Sequence, residues 1–290
     1  MRIITPEFKL VGLLGNPLGQ SVSAAAHNAV YAKKDWNYYY IPIEVKDASA
    51  QGAVIEGIRN MNFAGFAITK PYKVDVLQYL DDADDMTCCM GACNTVVIQP
   101  DGSLKGYNTD GLGAIRALKE EADLDCDGKT FFCFGAGGVG RAICLELVFH
   151  KAKHIYLSDF SKPCQDLADH LNQISPGICT PIPHGEETAI AQGVAQSQVI
   201  MNLTGLGMQP HLDETPLNSQ YFKPDHICFD AVYNPVRTRF LKEAEQAGCK
   251  VINGLGMLVY QATKQVELWT GYAEPVKEMT YEMTAALAER

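Results

Sequence analysis

The sequence predicts an α/β protein of two domains, on three observations. Its 290 residues exceed what one small core needs and match two compact units of roughly 100 to 150 residues each. Short, nearly continuous apolar runs alternate with helical stretches, and that alternation restarts near Asp110. Hydrophobic residues make up 47% and charged residues 20%, the balance of a chain that buries a core, so disorder is not expected.

In the first third, LVGLLG, YYYIPIEV and FAGFAIT read as strands, and SAAAHNAVYAKK and GAVIEGIRN as helices. The strand runs are apolar throughout rather than alternating, which suits a largely parallel sheet covered on both faces. Asp47 is placed to cap the second helix. Beyond Asp110, GLGAIRALKEEA reads as an amphipathic helix. TFFCF, VGRAICLELVFH, HIYLSD, PCQDLADHLNQI, SQVIMNLT and HICFDAV then repeat strand and helix in a doubly wound pattern. MLVYQATKQVELWTG and EPVKEMTYEMTAALAER close the chain as two helices, the second with Pro275 at its first turn.

Bulk properties narrow the function classes. A net charge of −10 without any Lys/Arg run repels phosphate backbones, so no nucleic-acid partner is expected. The opening MRIITPEFKLVGLLG lacks the apolar stretch of a signal peptide, and no run approaches 18 apolar residues; the expectation is a cytoplasmic protein without a membrane partner. The ten cysteines are scattered, and Cys88, Cys89 and Cys93 have no second Cys/His pair at zinc-ligand spacing, so reduced thiols and no metal are expected. No heptad repeat or other interface signature appears, which leaves monomer and homodimer both open.

KTFFCFGAGGVGRAICLEL sets Gly135, Gly137 and Gly140 at GxGxxG spacing between an expected strand and an expected helix. The first glycine permits the tight turn, the second lets backbone approach a pyrophosphate, and the third brings helix against strand, while helix N-terminal amides hold the anion. Gly135, Ala136, Gly137, Gly138 and Val139 are therefore candidate dinucleotide contacts. Asp159 ends HIYLSD, 24 residues after Gly135, near the ~20-residue spacing of a ribose-binding acid. A carboxylate there favours NAD over NADP, because it repels a 2′-phosphate; nearby Lys162 weighs the other way, and a helix N-cap is the competing role for Asp159. The expected fold is an N-terminal α/β substrate domain over 1–112, a Rossmann-type doubly wound dinucleotide-binding domain over 113–256, and C-terminal helices at 257–290 that return to the first domain.

Several further motifs agree in content and order: GNPLGQSVSAAAHN, GFAITKPYK, GACNTVV, GYNTDGLG, GAGGVGRA, MNLTGLGM, DAVYNP and GLGMLVYQA. Over roughly residues 10 to 272 the chain resembles the shikimate and quinate dehydrogenases, and most closely the NAD-preferring subgroup that accepts both acids. The resemblance implies reversible oxidation of a ring hydroxyl of quinate or shikimate, to 3-dehydroquinate or 3-dehydroshikimate, in aromatic amino acid biosynthesis. Hydride transfer from an alcohol leaves a proton, so a base is needed beside the hydroxyl. The family's TxPxK lysine and NTD aspartate are here Lys73 and Asp110, which the resemblance makes the catalytic pair. It further implies Ser21 and Ser23 for the substrate carboxylate, and Thr69, Asn94, Tyr233 and Gln261 for the ring hydroxyls, groups that both donate and accept. Thr204, Gly207, Ala231, Gly254 and Met257 would flank the nicotinamide, with Asp85 a further cofactor candidate. Taken singly, Ser23 also suits a helix N-cap, Asn94 a turn and Gln261 a helix surface.

The chain departs from the family pattern at Gln20 and Ala24, where histidine and proline usually flank the two serines, and at Ala67, where an asparagine is common. Two alternatives follow: the same fold acting on a related cyclic hydroxy or amino acid, and a catalytically silent protein that binds dinucleotide and senses a metabolite. Intact Lys73 and Asp110 argue against the second.

Overall fold

The structure, a computed structural model, describes residues 5–19, 21–159 and 163–288; Gln20 and Lys162 lie outside them. The chain packs as two compact units, one of residues up to Thr109 together with those from Gln261 onward, the other Asp110–Tyr260. Residues 110–112 go with the second unit rather than the first, because they are the opening turn of a helix that packs there. Residues 257–260 stay with it too.

In the first unit β1 (Lys9–Gly15), α1 (Ser23–Lys33), β2 (Tyr38–Glu44), α2 (Gln51–Arg59) and β3 (Phe63–Ile68) follow in order. β1 pairs parallel with β2 and with β3. β3 is buried at every residue and β1 over its last five, as their unbroken apolar runs require. The Asp47 carboxylate accepts from the Ser49 N–H at 2.9 Å, so it caps a short 3-10 turn, Ala48–Ala50, that leads into α2.

Past β3 one strand of the sheet reverses. β4 (Asp82–Ala83), α3 (Asp85–Met90), β5 (Thr95–Ile98) and β6 (Leu104–Tyr107) complete it in the order β2-β1-β3-β5-β6-β4, with β5 antiparallel to both β3 and β6. β4 pairs parallel with β6, so five of the six strands run the same way and the sheet is largely parallel as expected, with β5 reversed. The cause is local: β5 and β6 form a hairpin around Pro100-Asp101-Gly102, with Gly102 at φ +84°. The Asp101 carboxylate accepts from the Ser103 N–H and hydroxyl at 2.9 and 2.7 Å, turn chemistry that sends a chain back antiparallel.

β2 is an edge strand, and its centre is closed by α1. Asn28 donates its amide to the Tyr40 carbonyl and accepts from the Tyr40 N–H, both at 2.8 Å, and Pro42 offers no N–H, so little of the edge is left for a foreign strand.

In the second unit α4 (Asp110–Ala122) precedes β7 (Thr130–Phe134), α5 (Gly138–Phe149), β8 (His154–Asp159), α6 (Pro163–Ile174), β9 (Cys179–Pro183), α7 (Glu187–Gln196), β10 (Val199–Asn202), β11 (Ile227–Asp230), α8 (Arg239–Gln246) and β12 (Lys250–Ile252). All six strands are parallel, in the order β12-β11-β10-β7-β8-β9. From β7 the chain steps outward through β8 and β9, then returns to β10 and steps out the other way, the doubly wound arrangement expected. The reversal lies between β7 and β10, where such sheets bind their ligands outside the carboxyl ends of the strands.

α9 (Gly254–Thr270) and α10 (Val276–Ala288) end the chain, and residues from Gln261 onward belong to the first unit, as expected. The Trp269 indole N–H donates to the Val96 carbonyl at 3.0 Å. A side chain at Gly65 would collide with both, so glycine in β3 is what lets the indole lie on the sheet. α10 packs along α1, with Lys34 and Glu278 paired at 2.6 Å.

His27 sits under this layer, fully buried, its ring stacked on Tyr40 at 4.4 Å and its Nδ1–H donating to the Ser23 carbonyl at 2.8 Å. Burial pulls its pKa from 6.5 down to about 4. A base whose folded pKa is depressed keeps its contribution to stability above pH 6.5 and loses it as the pH falls toward 4. Urea melts from pH 7 to 4 should show the wild type losing about 3 kcal/mol more than His27→Gln; parallel losses would exclude His27 as the titrating group.

Candidate active site

In the first unit the site is built around the segment after β3. The Thr69 N–H donates to the Leu14 carbonyl at 2.8 Å, the buried Tyr72 hydroxyl donates to the Val45 carbonyl at 2.6 Å, and the Lys73 carbonyl accepts from the Cys93 N–H at 2.8 Å. The backbone on both sides of half-buried Lys73 is therefore fixed. Its ammonium lies close enough to favour the Cys93 thiolate, yet burial dominates and pushes that thiol up to about 12, which leaves Cys93 a neutral packing residue.

The GACNT and NTD segments run side by side because β5 and β6 pair Thr95 with Tyr107. The Asn108 amide donates to the Ala92 carbonyl at 3.0 Å. Asn94 is not a turn residue: it is 2% exposed, accepts from the Thr109 N–H at 2.9 Å and the Thr95 hydroxyl at 2.7 Å, and donates to the Thr109 hydroxyl at 3.0 Å. That hydroxyl lies 3.5 Å from the Gln261 side-chain carbonyl. Asn94 and Gln261 thus meet on either side of Thr109, and the next residue, half-buried Asp110, opens α4.

Ser21 and Ser23 flank buried Val22 at the start of α1. Ser23 does not cap the helix through its side chain; instead the Ser21 hydroxyl accepts from the Ser23 N–H at 3.3 Å. Ala67 is buried within β3, opposite Thr95. Asp85 is exposed in the first turn of α3, in the first unit, whereas the other cofactor candidates lie in the second.

In the second unit the glycine turn follows β7. Gly135 has φ +108°, and a side chain on it would press on the Leu203 carbonyl and the Thr204 nitrogen at 2.8 and 2.9 Å. A side chain on Gly140 would strike the Gly135 carbonyl, so the third glycine seats α5 on the turn. Gly137 and Gly138, by contrast, face open space at the first amides of α5, beside half-exposed Val139. The Asp159 carboxylate, at the tip of β8, accepts from the Ala136 N–H. The acid is thereby held against the turn, at a place where it can also meet a ribose.

The remaining candidates sit on loops after β10 and β11 and in the first turn of α9. Thr204 donates its hydroxyl to Asn202 at 2.6 Å, Gly207 has φ +95°, and the Ala231 N–H donates to the Asn202 carbonyl at 2.9 Å. Tyr233 is half-buried. At Gly254 the space of the missing side chain is taken by the Ala231 carbonyl. Met257 is buried in the first turn of α9.

Sequence reasoning passed over Thr109, Gln265, Asn202, Asp230 and Thr238. Gln265 lies one helical turn beyond Gln261 and donates to the Thr95 hydroxyl at 2.8 Å. Asp230 is fully buried, and burial raises its carboxyl to about 6 against hydrogen bonds that favour the ion. The available signal was a polar residue closing an otherwise apolar strand, VIMN and ICFD. Among the described residues no group of His, Cys, Asp or Glu is placed to hold a metal, and no helix is long and apolar enough to cross a membrane.

A doubly wound parallel sheet with a glycine turn at its reversal point, joined to a second α/β unit, is the architecture of a two-domain dinucleotide-dependent oxidoreductase. Known proteins narrow the class. Residues 13–96 match the shikimate dehydrogenase substrate binding domain, and residues 254–280 the shikimate 5'-dehydrogenase C-terminal domain. The shikimate dehydrogenase (NADP(+)) of Alkaliphilus oremlandii is 37% identical over 276 residues, 94% of this chain and 96% of its own. The shikimate 5-dehydrogenase of Listeria monocytogenes, solved in complex with shikimate and NAD, superimposes with a TM-score of 0.93 at 34% identity, over 98% of this chain and 99% of its own. The quinate dehydrogenase of Corynebacterium glutamicum, solved in complex with NAD, gives 0.88 at 30% identity, over 96% and 99%. The chain belongs to the shikimate dehydrogenase family.

The glycines separate fold from ligand. Gly135→Ala should cost roughly 2 kcal/mol or more of stability, from its positive φ and crowded backbone. Gly137→Ala should leave the melting temperature nearly unchanged yet weaken dinucleotide binding, measured by fluorescence titration. Equal losses of stability in the two variants would contradict this division.

Proposed function

We propose that the protein catalyses the reversible oxidation of a ring hydroxyl of shikimate or quinate, to 3-dehydroshikimate or 3-dehydroquinate, with NAD as the preferred acceptor. The observation that carries the reading is the lacing of Asn94, Thr109 and Gln261 beside the fixed Lys73 segment: it gathers amides and hydroxyls of the kind that recognise a polyol. A bound nicotinamide supplies the hydride acceptor. Lys73 takes the proton of the reacting hydroxyl, and Asp110 hydrogen-bonds the same hydroxyl and orients the lysine. Thr69, Asn94, Gln261 and Tyr233 hold the ring hydroxyls, and Ser21 and Ser23 the carboxylate. Gly135 to Val139 receive the pyrophosphate, while Thr204, Gly207, Ala231, Gly254 and Met257 border the nicotinamide; Asp85 is the least supported of the cofactor contacts.

The NAD preference rests on Asp159, whose charge at the tip of β8 opposes a 2′-phosphate. The solved relatives in complex with NAD support it, and the NADP(+) named for the Alkaliphilus protein weighs against it. Steady-state rates with shikimate and quinate against NAD and NADP, followed at the reduced-nicotinamide band, test both halves; no turnover of either acid with either cofactor would refute the reading.

Two variants test the roles. Lys73→Ala should lower kcat by about 10²- to 10⁴-fold, with a much smaller change in the KM for shikimate; near-wild-type turnover would remove Lys73 from the proton transfer. Asp159→Ala should weaken NAD by about tenfold and narrow its advantage over NADP. An unchanged ratio of the two cofactors would remove Asp159 from the choice.

A further inference from the structure

The carboxyl ends of β10 and β11 are joined by a buried polar network that the reaction itself does not use. Asn202 ends β10 and Asp230 ends β11, both fully buried. The Asn202 amide donates to Asp230 Oδ1 and to the Leu206 carbonyl, both at 3.0 Å, and its oxygen accepts from the Thr204 hydroxyl and N–H at 2.6 and 3.2 Å. Asp230 Oδ1 also accepts from the Val232 N–H at 2.9 Å, and Oδ2 from the Thr238 hydroxyl at 2.5 Å. Thr238 in turn caps α8 by accepting from the Leu241 N–H at 3.3 Å, and its carbons lie 3.0 Å from where a side chain on Gly207 would stand.

From this geometry we infer that Asp230 is a positioning residue: with Asn202 and Thr238 it binds the 204–207 loop and the 231–233 loop into one bracket that sets both together. The inference rests on the proposed function only for what those loops touch, Thr204 and Gly207 at the cofactor and Tyr233 at the substrate. Each of the three hydrogen bonds to Asp230 brings a donor, so the position requires an acceptor on both oxygens. An amide there sets its NH₂ either against the two N–H donors or on the Thr238 hydroxyl, which must then give up its own donation, and in both cases a buried hydrogen bond to a charged group is lost.

Asp230→Asn, which changes no volume, tests the bracket by hydrogen exchange of the unliganded protein. Exchange should quicken about tenfold or more in residues 203–207 as well as in 231–233. In steady state, the KM values for dinucleotide and for acid should rise together, by more than kcat falls. Thr238→Ser, which keeps the hydroxyl, should stay close to wild type, whereas Thr238→Val should behave as Asp230→Asn and serves if that variant does not fold. Faster exchange confined to 230–233, or a lower melting temperature with unchanged KM values, would overturn the inference. The exchange measurement decides it even if the wild type proves inactive on shikimate and quinate, a result that would instead remove the proposed function.

Discussion

The absence of a side chain at Gly140 lets the first turn of α5 rest on the Gly135 carbonyl, and the second unit is organised around that approach. Gly135 itself is pressed against the backbone of Leu203 and Thr204. Three backbone segments therefore meet without side chains between them: the end of β7, the start of α5 and the loop after β10. The first amides of α5 consequently emerge at Gly137 and Gly138, where a side chain would meet none of the described residues within 4 Å. A helix N-terminus open in this way offers both partial positive charge and unpaired donors to an anion. The same contact fixes where Thr204 begins its loop, so the anion-binding turn and the loop proposed to border the nicotinamide share one origin.

The first unit reaches comparable rigidity by side-chain hydrogen bonds. Asn94 satisfies the Thr109 N–H and two hydroxyls with one amide, while α9 holds β5 through Trp269 on the Val96 carbonyl and Gln265 on the Thr95 hydroxyl. Buried amides are costly without partners, and each hydrogen bond of this kind reduces the alternative arrangements open to the site. The antiparallel hairpin is what makes this lacing possible. A parallel pair would need a long crossover between β5 and β6, and could not set Asn94 opposite Thr109 through a turn of a few residues.

What could be read from the sequence follows the range of the interactions. β1, β3, β7, β8, β10 and β11 announce themselves as apolar runs, and the glycine turn as a spacing, because their causes lie within a few residues. β9 was missed because Pro181 and Pro183 break its apolar character, which its place at the sheet edge tolerates. The β5–β6 hairpin was marked by Pro100-Asp101-Gly102 but flanked by strands of only four residues. The hidden members of the site depend on distant partners: Gln265 answers Thr95, and Asn202 answers Asp230. Nothing near either glutamine or asparagine in the chain points to that partner. Gly254 carries a packing constraint that its motif does not announce, since the Ala231 carbonyl takes the space of its missing side chain.

Two aspartates at strand tips show how burial divides one residue type between two tasks. Asp159 ends β8 half-buried, with its carboxylate on the Ala136 N–H of the glycine turn; Asp230 ends β11 with no exposed surface and donors of its own chain on both oxygens. The second cannot recognise a ligand, since any new donor would have to displace one already in place within a dry site. Burial has raised its carboxyl to about 6, and its hydrogen bonds are what keep it ionised near neutral pH. The first stays at the rim, where water or a sugar hydroxyl can reach it. Strand-end position alone would assign both to the cofactor; the partners of the carboxylate separate a group open to a ligand from one closed on donors of its own loops.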